Sequence, residues 1–311
     1  MKSLSRRRFL RTGLQTLGAM SLASAASSAL AARTPRITLT ELTPNGVGGL
    51  TLIQGAGCNV VAMAGKDGSL LVDGGLAQHS GALLRAVSQA TGKRRVDTLI
   101  NTHWHPEQTG SNERVGRAGG TIIAHEVTRL YLGRSAASAT YEGSYGPLPE
   151  SARPTRTTRD SGSLDFAGQP VEYGYLPAAH TNGDLYVYFP EANVLVAGGP
   201  VSAETWPLLD IRNGGWLGGL VRAHEKIADI VKPDTRIVPA HGRMLTGADI
   251  VRHRDMYQEL FRQLFVYLNK GFGPLDVIAE RPLQKHEEEL GDASAFLNGA
   301  YRSLFLAYVP D

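Results

Sequence analysis

Between Ile37 and Leu306 the chain runs twice through one order of patterns, short β-rich runs first and helically spaced segments after. In the first block the runs are Ile37–Thr40, Leu50–Ile53, Asn59–Met63 and Leu70–Asp73, punctuated by glycines and by Lys66-Asp67-Gly68. Residues 78–91 then carry Leu83, Leu84, Val87 and Ala90 at helical spacing, and Val96–Ile100 is a continuous apolar run of a buried strand. A helix over about Gly110–Arg117, a strand at Thr121–Ile123 and a helix from Glu126 complete this block. The second block has strands at Leu164–Phe166, Val171–Tyr175, Leu185–Phe189, Val194–Ala197 and Arg236–Val238. Its helical segments are 217–231, Ala248–Leu268 and Ala293–Leu306. Such a repetition predicts two sheets packed face to face with helices outside. Residues 135–161, rich in Ser, Thr, Pro and Arg, read as a long loop.

With 311 residues, 42% hydrophobic and 20% charged, the chain can build a large core and is too polar for a multi-span membrane protein. The balance of 32 basic against 29 acidic residues is misleading, because Lys2, Arg6, Arg7, Arg8 and Arg11 all precede residue 32 and no acid does. Without those five the count is 27 against 29, which removes the electrostatic basis for a nucleic-acid partner. Residues 1–31 read as a processed leader. Ser5-Arg6-Arg7-Arg8-Phe9-Leu10 resembles a twin-arginine export signal, and an uncharged stretch leads to the small-residue exit Ala29-Leu30-Ala31, with Ala25 as a second cleavage point. The expectation is a bacterial periplasmic protein without stable membrane insertion. Cys58 is the sole cysteine, so no intrachain disulfide and no thiolate zinc cluster can form. A metal would have to be held by His, Asp or Glu.

The run after Val96–Ile100 reads Asn101-Thr102-His103-Trp104-His105-Pro106-Glu107-Gln108-Thr109-Gly110. If the strand continues through it, His103, His105 and Glu107 project to one side and Pro106 closes the strand. Two imidazoles and a carboxylate suit zinc or iron. Two further histidines, His180 before Gly183-Asp184 and His241 before Gly242, sit on glycine-containing loops that leave strands.

The ordered set Leu71-Val72-Asp73-Gly74-Gly75, Thr102-His103-x-His105-x-Glu107-Gln108-x-Gly110, His180-Thr181-x-Gly183-Asp184 and Pro239-Ala240-His241-Gly242 resembles the metallo-β-lactamase superfamily. The exported form also resembles periplasmic zinc metallohydrolases associated with quinoprotein and sulfur-oxidation systems. The resemblance implies a four-layer αββα sandwich over residues 32–250, followed by C-terminal helices over 251–311 packed on the same domain. It implies that His103, His105 and His180 hold one zinc, with a fourth position open for a water that the metal acidifies.

The departures bear on the second metal. The family's H-x-H-x-D-H becomes His103-x-His105-x-Glu107-Gln108, and Gly199 stands where many members place a bridging Asp. Only His241 and Glu107, with the poor donor Gln108, remain for a second ion. The expectation is therefore a single zinc, with Glu107 as general base or water-orienting group. Asp73 either accepts a hydrogen bond from a ligand imidazole or serves as a turn residue before Gly74-Gly75. The reading is an exported hydrolase of a small ester, thioester or amide. The alternatives are a binding protein that retains a partial metal site and a mononuclear iron oxidase or oxygenase.

Other residues are expected to be structural. His79 and His125 flank helix starts, while His224, His253 and His286 are read as surface groups. Cys58 reads as a buried small hydrophobe. Tyr141, Tyr145, Trp206 and Trp216 read as core or loop packing, and Asp210 as turn chemistry or a substrate anchor. Phe261, Leu264, Phe265 and Leu268 are expected to point inward.

Overall fold

The computed structural model describes residues 35–308 apart from 45, 47 and 139–142. The leader reading over residues 1–31 and the reading of Tyr141 lie outside the described residues. One sheet is ordered β1 (Thr38–Glu41), β2 (Leu50–Gln54), β3 (Val60–Ala64), β4 (Ser69–Val72), β5 (Val96–Ile100), β6 (Thr121–His125) and β7 (Arg156–Thr158). The first four strands form an antiparallel meander, and β4 to β7 run parallel. The other sheet contains β8 (Ser161–Phe166), β9 (Gln169–Leu176), β10 (Asp184–Phe189), β11 (Val194–Gly198), β12 (Arg236–Pro239) and β13 (Leu245–Thr246), in the order β13-β12-β11-β10-β9-β8. Only β11 and β12 pair in parallel there. The short β7 lies inside the stretch read as loop. Its Arg156-Thr157-Thr158 is polar, half-exposed and at a sheet edge, so no hydrophobic alternation announces it.

Side-chain alternation along the strands explains the four layers. Val61, Met63, Leu70 and Val72 of the first sheet share a core with Tyr173, Val187, Phe189 and Val196 of the second. Val60, Ala62, Leu71 and Leu99 point the other way. They pack against Leu83 and Val87 of α1 (Ser80–Thr91) and Val115 of α3 (Asn112–Arg117), which follows the single turn α2 (Pro106–Thr109). Behind the second sheet lie α5 (Leu217–Ile230), α6 (Gly247–Asn269) and α9 (Ser294–Tyr308), whose apolar faces join Leu195, Ala197 and Ile237 in the largest core. The remaining helices are α4 (Glu126–Leu132), α7 (Pro274–Ala279) and α8 (Glu287–Leu290). This is the αββα arrangement the sequence led us to expect, with added C-terminal helices. No helix among the described residues is long and apolar enough to cross a membrane.

Three expectations about the helices fail. Phe265 is 40% exposed and meets Tyr308 edge-on on the outside, while Leu264 next to it takes the core position. His224 and His253 are buried, not superficial. Their Arg- and Glu-rich neighbours occupy other faces of α5 and α6, and the two imidazoles lie between the helices, His224 edge-on to Tyr257 at 4.9 Å. Nδ1 of neutral His224 donates to the Leu220 carbonyl. Burial lowers His224 to about 3, with the neighbouring His253 adding to the effect. Burial, aided by the Arg252 charge, lowers His253 to about 4 despite Glu289 and Asp249 nearby.

Both groups therefore titrate below the usual histidine value, so below about pH 6.5 the unfolded chain takes up protons that the fold refuses. The contribution of this pair to stability is full above that pH and falls as pH drops towards 4, by on the order of a few kcal/mol. Urea melts at pH 7 and pH 5 check this. Relative to a His224→Phe/His253→Leu double variant, the wild type should be markedly less stable at pH 5 than at pH 7.

Candidate metal centre

The site forms where strand ends from both sheets meet. Parallel pairing sets Val72 opposite Ile100, so the next residues, Asp73 and the segment from Asn101, leave the sheet side by side. Asp73 Oδ1 accepts from the Thr102 amide at 2.8 Å, and Oδ2 accepts from the Thr102 hydroxyl at 2.9 Å. Burial raises the Asp73 carboxyl to about 8, against the lowering effect of those bonds. Thr102 Oγ1 lies 3.1 Å from His103 Nδ1. Asp73 thus reaches the imidazole through Thr102. The direct bond from carboxylate to ligand ring, one of the two sequence readings, is replaced by a relay.

The residues after Ile100 do not continue the strand. They turn, and Pro106 opens α2 at its first position, where a missing N–H costs nothing. The Asn101 side chain closes this loop through the Gln108 carbonyl at 2.9 Å and Asn112 Oδ1 at 3.1 Å, and the Gly74 amide donates to the same Gln108 carbonyl. Gly110 is required by close approach, since a Cβ there would stand 2.1 Å from the Ala77 nitrogen. His103, His105 and Glu107 are therefore gathered by a turn and a helix start, and strand alternation was the wrong reason for the right grouping.

His180 comes from the β9–β10 connection. Asp184 ties that turn, accepting from the His180 and Thr181 amides at 2.7 and 2.8 Å and from the Thr181 hydroxyl at 2.7 Å. Burial pushes Asp184 up to about 7, opposed by those bonds. The His180 ring uses Nδ1 on the Leu208 carbonyl at 2.7 Å, which leaves Nε2 facing His105 Nδ1 at 3.0 Å. His105 in turn places Nε2 on Asp210 Oδ2 at 3.0 Å.

The three rings stand close to perpendicular to one another, with centroids 4.8 Å apart for His103–His105, 4.6 Å for His103–His180 and 4.7 Å for His105–His180. Their ligand atoms all lie within 4.8 Å of one another, and His103 Nε2 is buried with no hydrogen-bond partner among the described residues. Burial lowers His103, the more so because His180 and His105 would repel a proton there, and burial with the neighbouring His105 lowers His180 to about 3. Neutral imidazoles with one nitrogen anchored and the other turned inward are what a divalent cation requires of its ligands. The residues fit the metal.

Sequence reasoning missed Asp210. It is fully buried, and Oδ2 also accepts from Ser138 Oγ at 2.8 Å and Asn213 Nδ2 at 2.7 Å. Burial pushes its carboxyl up, but the bonds from His105, Asn213 and Ser138 outweigh that and hold it below the usual range. Its backbone amide donates to the His180 carbonyl at 2.9 Å, so one residue steadies two of the three ligands. Asp210 does serve as a turn residue, its carbonyl accepting from the Asn213 and Gly215 amides, but its hold on the histidines is a further role that no local motif signals.

The family model for the metallo-beta-lactamase superfamily matches residues 53–241, which include His103, His105 and His180. The chain belongs to this superfamily. Solved structures agree on the fold. A metallo-beta-lactamase from Pontibacter korlensis is 21% identical with a TM-score of 0.52, over 71% of this chain and 94% of that one. The BLEG-1 B3 metallo-beta-lactamase is 17% identical with a TM-score of 0.51, over 70% and 98%. The inverting sec-alkylsulfatase Pisa1 from Pseudomonas sp. is 18% identical with a TM-score of 0.60. It covers 84% of this chain, which spans 49% of that longer protein.

Within the superfamily fold, the variant positions fall as follows. Glu107 lines the cavity of about 170 Å³ that holds His103 and His180, and its Oε1 lies 3.9 Å from His105 Nδ1. Cys58, buried as expected, also donates its thiol to the Glu107 carbonyl at 2.8 Å and so pins that residue's backbone. His241 lines the same cavity. Gln108 does not. Its side chain is buried, with neither amide atom partnered among the described residues, and it serves the loop through its backbone carbonyl. At Gly199 a Cβ would stand 2.3 Å from His180 Cδ2, so the ring occupies the space that a carboxylate at that position would need. Superfamily and cluster together suggest a metal-dependent hydrolase.

Proposed function

We propose that this protein is an exported hydrolase that uses one zinc ion to cleave a small ester, thioester or amide. The observation that carries the reading is the convergence of three buried imidazoles, two of them lining a small cavity that also holds the Glu107 carboxylate. Three-histidine sets suit zinc with an open position, and the mutual fit of His180 and Gly199 favours a single ion. Neighbours named as metallo-beta-lactamases and as a sec-alkylsulfatase support hydrolysis as the reaction type. The paired arginines at Arg6 and Arg7 support export to the periplasm, with a small molecule as the partner.

His103, His105 and His180 would hold the ion. When bound it would polarise the substrate's carbonyl oxygen and acidify a water. Glu107 takes the proton that water loses as its oxygen bonds to the carbonyl carbon, and that proton then goes to the departing alcohol, thiol or amine. Thr102, under Asp73, keeps the Nδ1 proton of His103 in place, and Asp210 does the same for Nε2 of His105. The Leu208 carbonyl fixes His180.

Elemental analysis of protein purified from the periplasm tests this, with about one zinc per chain expected. Hydrolysis of a panel of esters, thioesters and amides should be lost on chelation and restored by zinc. Two zinc ions per chain would overturn the single-ion assignment, and iron would redirect the reading to redox chemistry. A metal-free, inactive protein would favour a binding function, to which the Gln108 and Gly199 departures also point.

A further inference from the structure

A second, larger cavity of about 460 Å³ adjoins the metal cavity. The two share a wall, the strap Thr205-Trp206-Pro207-Leu208. The far side of the larger one is built by the start of α9 and the turn before it, with Leu290, Asp292, Ala295, Phe296 and Gly299. Trp206, read from sequence as packing, lines both cavities. Its Nε1 donates to the Gly291 carbonyl at 2.8 Å, and its ring stacks on Phe296 at 5.1 Å with planes 14° apart.

We propose that this chamber binds the uncharged hydrocarbon part of the substrate while the scissile group sits at the three histidines. The proposal rests on the hydrolase reading above. A cavity of about 170 Å³ has room for a reacting group and little more, whereas the neighbouring volume falls in the usual range of small-molecule sites. Its walls are mainly Trp206, Phe296, Leu208, Leu290 and Ala295, and the charged residues that line it, Glu204 and Asp292, are both acidic. Among the described residues no Lys, Arg or His lines it, so it offers nothing to an anionic tail and selects an apolar, neutral chain. Gly299 lines the chamber, and a Cβ there would meet nothing within 4 Å. A larger side chain at that position would enter open space.

Gly299→Leu fills the chamber and replaces a glycine inside α9 with a better helix former, so the fold should tolerate it. Ala295→Phe is a second, independent plug. Two probes are applied to the zinc-loaded protein. Calorimetric titration with 1-octanol, which has no hydrolysable bond, should show binding to the wild type and at least tenfold weaker binding to each plug. The wild type should hydrolyse p-nitrophenyl octanoate at least tenfold more efficiently than the acetate in kcat/KM, and the plugs should lose that preference with acetate turnover unchanged. Octanol that binds and is displaced by the plugs, with neither ester cleaved, would sink the hydrolase reading and leave the chamber standing. Failure of octanol to bind the wild type, or equal binding to the plugs, would overturn the chamber.

Discussion

Replacing Glu107 with glutamine is expected to lower kcat/KM by about 10²–10⁴-fold while zinc stays at one per chain. The substitution keeps the size and polarity of the side chain and removes its capacity to take a proton. Its position supports that role, because the carboxylate lines the metal cavity and its backbone is fixed by the Cys58 thiol. A glutamate that served as a metal ligand would behave differently. Metal content, measured beside the rate, would then fall in the variant, because a neutral amide is a poor ligand for zinc. An unchanged rate would remove Glu107 from the chemistry.

Asp210→Ala should weaken metal binding about 10–100-fold without touching any ligand atom. The carboxylate is the acceptor that keeps the proton on His105 Nε2 and so turns Nδ1 towards the cluster. Its removal also leaves Asn213 Nδ2 with only the Ala137 carbonyl as acceptor among the described residues, at a cost of about 1–3 kcal/mol for the buried bond lost. Competition titration against a chromophoric chelator gives the affinity, and urea melts of the metal-free protein give the stability. Asp210→Asn retains an acceptor oxygen and should fall between the two. A zinc affinity within twofold of wild type in the alanine variant would mean that His105 is oriented by other contacts.

The strand and helix pattern was legible because central strands bury both faces, which writes continuous apolar runs, while helices bury one, which writes a helical period. The buried runs of β3, β5 and β11 and the helical spacing of α1 and α6 could be read directly, and two such blocks imply two sheets. The histidines were legible for the same local reason, since each metal-facing residue lies in a short motif at a strand end. Glu107 illustrates a limit. Its spacing from His105 fits a strand as well as a helix start, and only the helical position of Pro106 distinguishes them. The polar edge strand β7 and the buried pair His224 and His253 were not legible, because residue type there runs against the environment that packing imposes.

By itself the sequence determined the superfamily's architecture, the three histidines that could hold a metal and, with one cysteine, the lack of a thiolate cluster, all of which depend on residue identity and local spacing. Tertiary structure alone decided what holds those ligands. His105 and Asp210 are 105 residues apart in the chain, as are His180 and Leu208 by 28, and no periodicity links them. The chamber beside Trp206 arises likewise, from a strap after β11 and a helix near residue 296 that meet only when α9 packs against α5, α6 and α7. Contacts of that kind are set by close packing between distant segments, which a local pattern cannot encode.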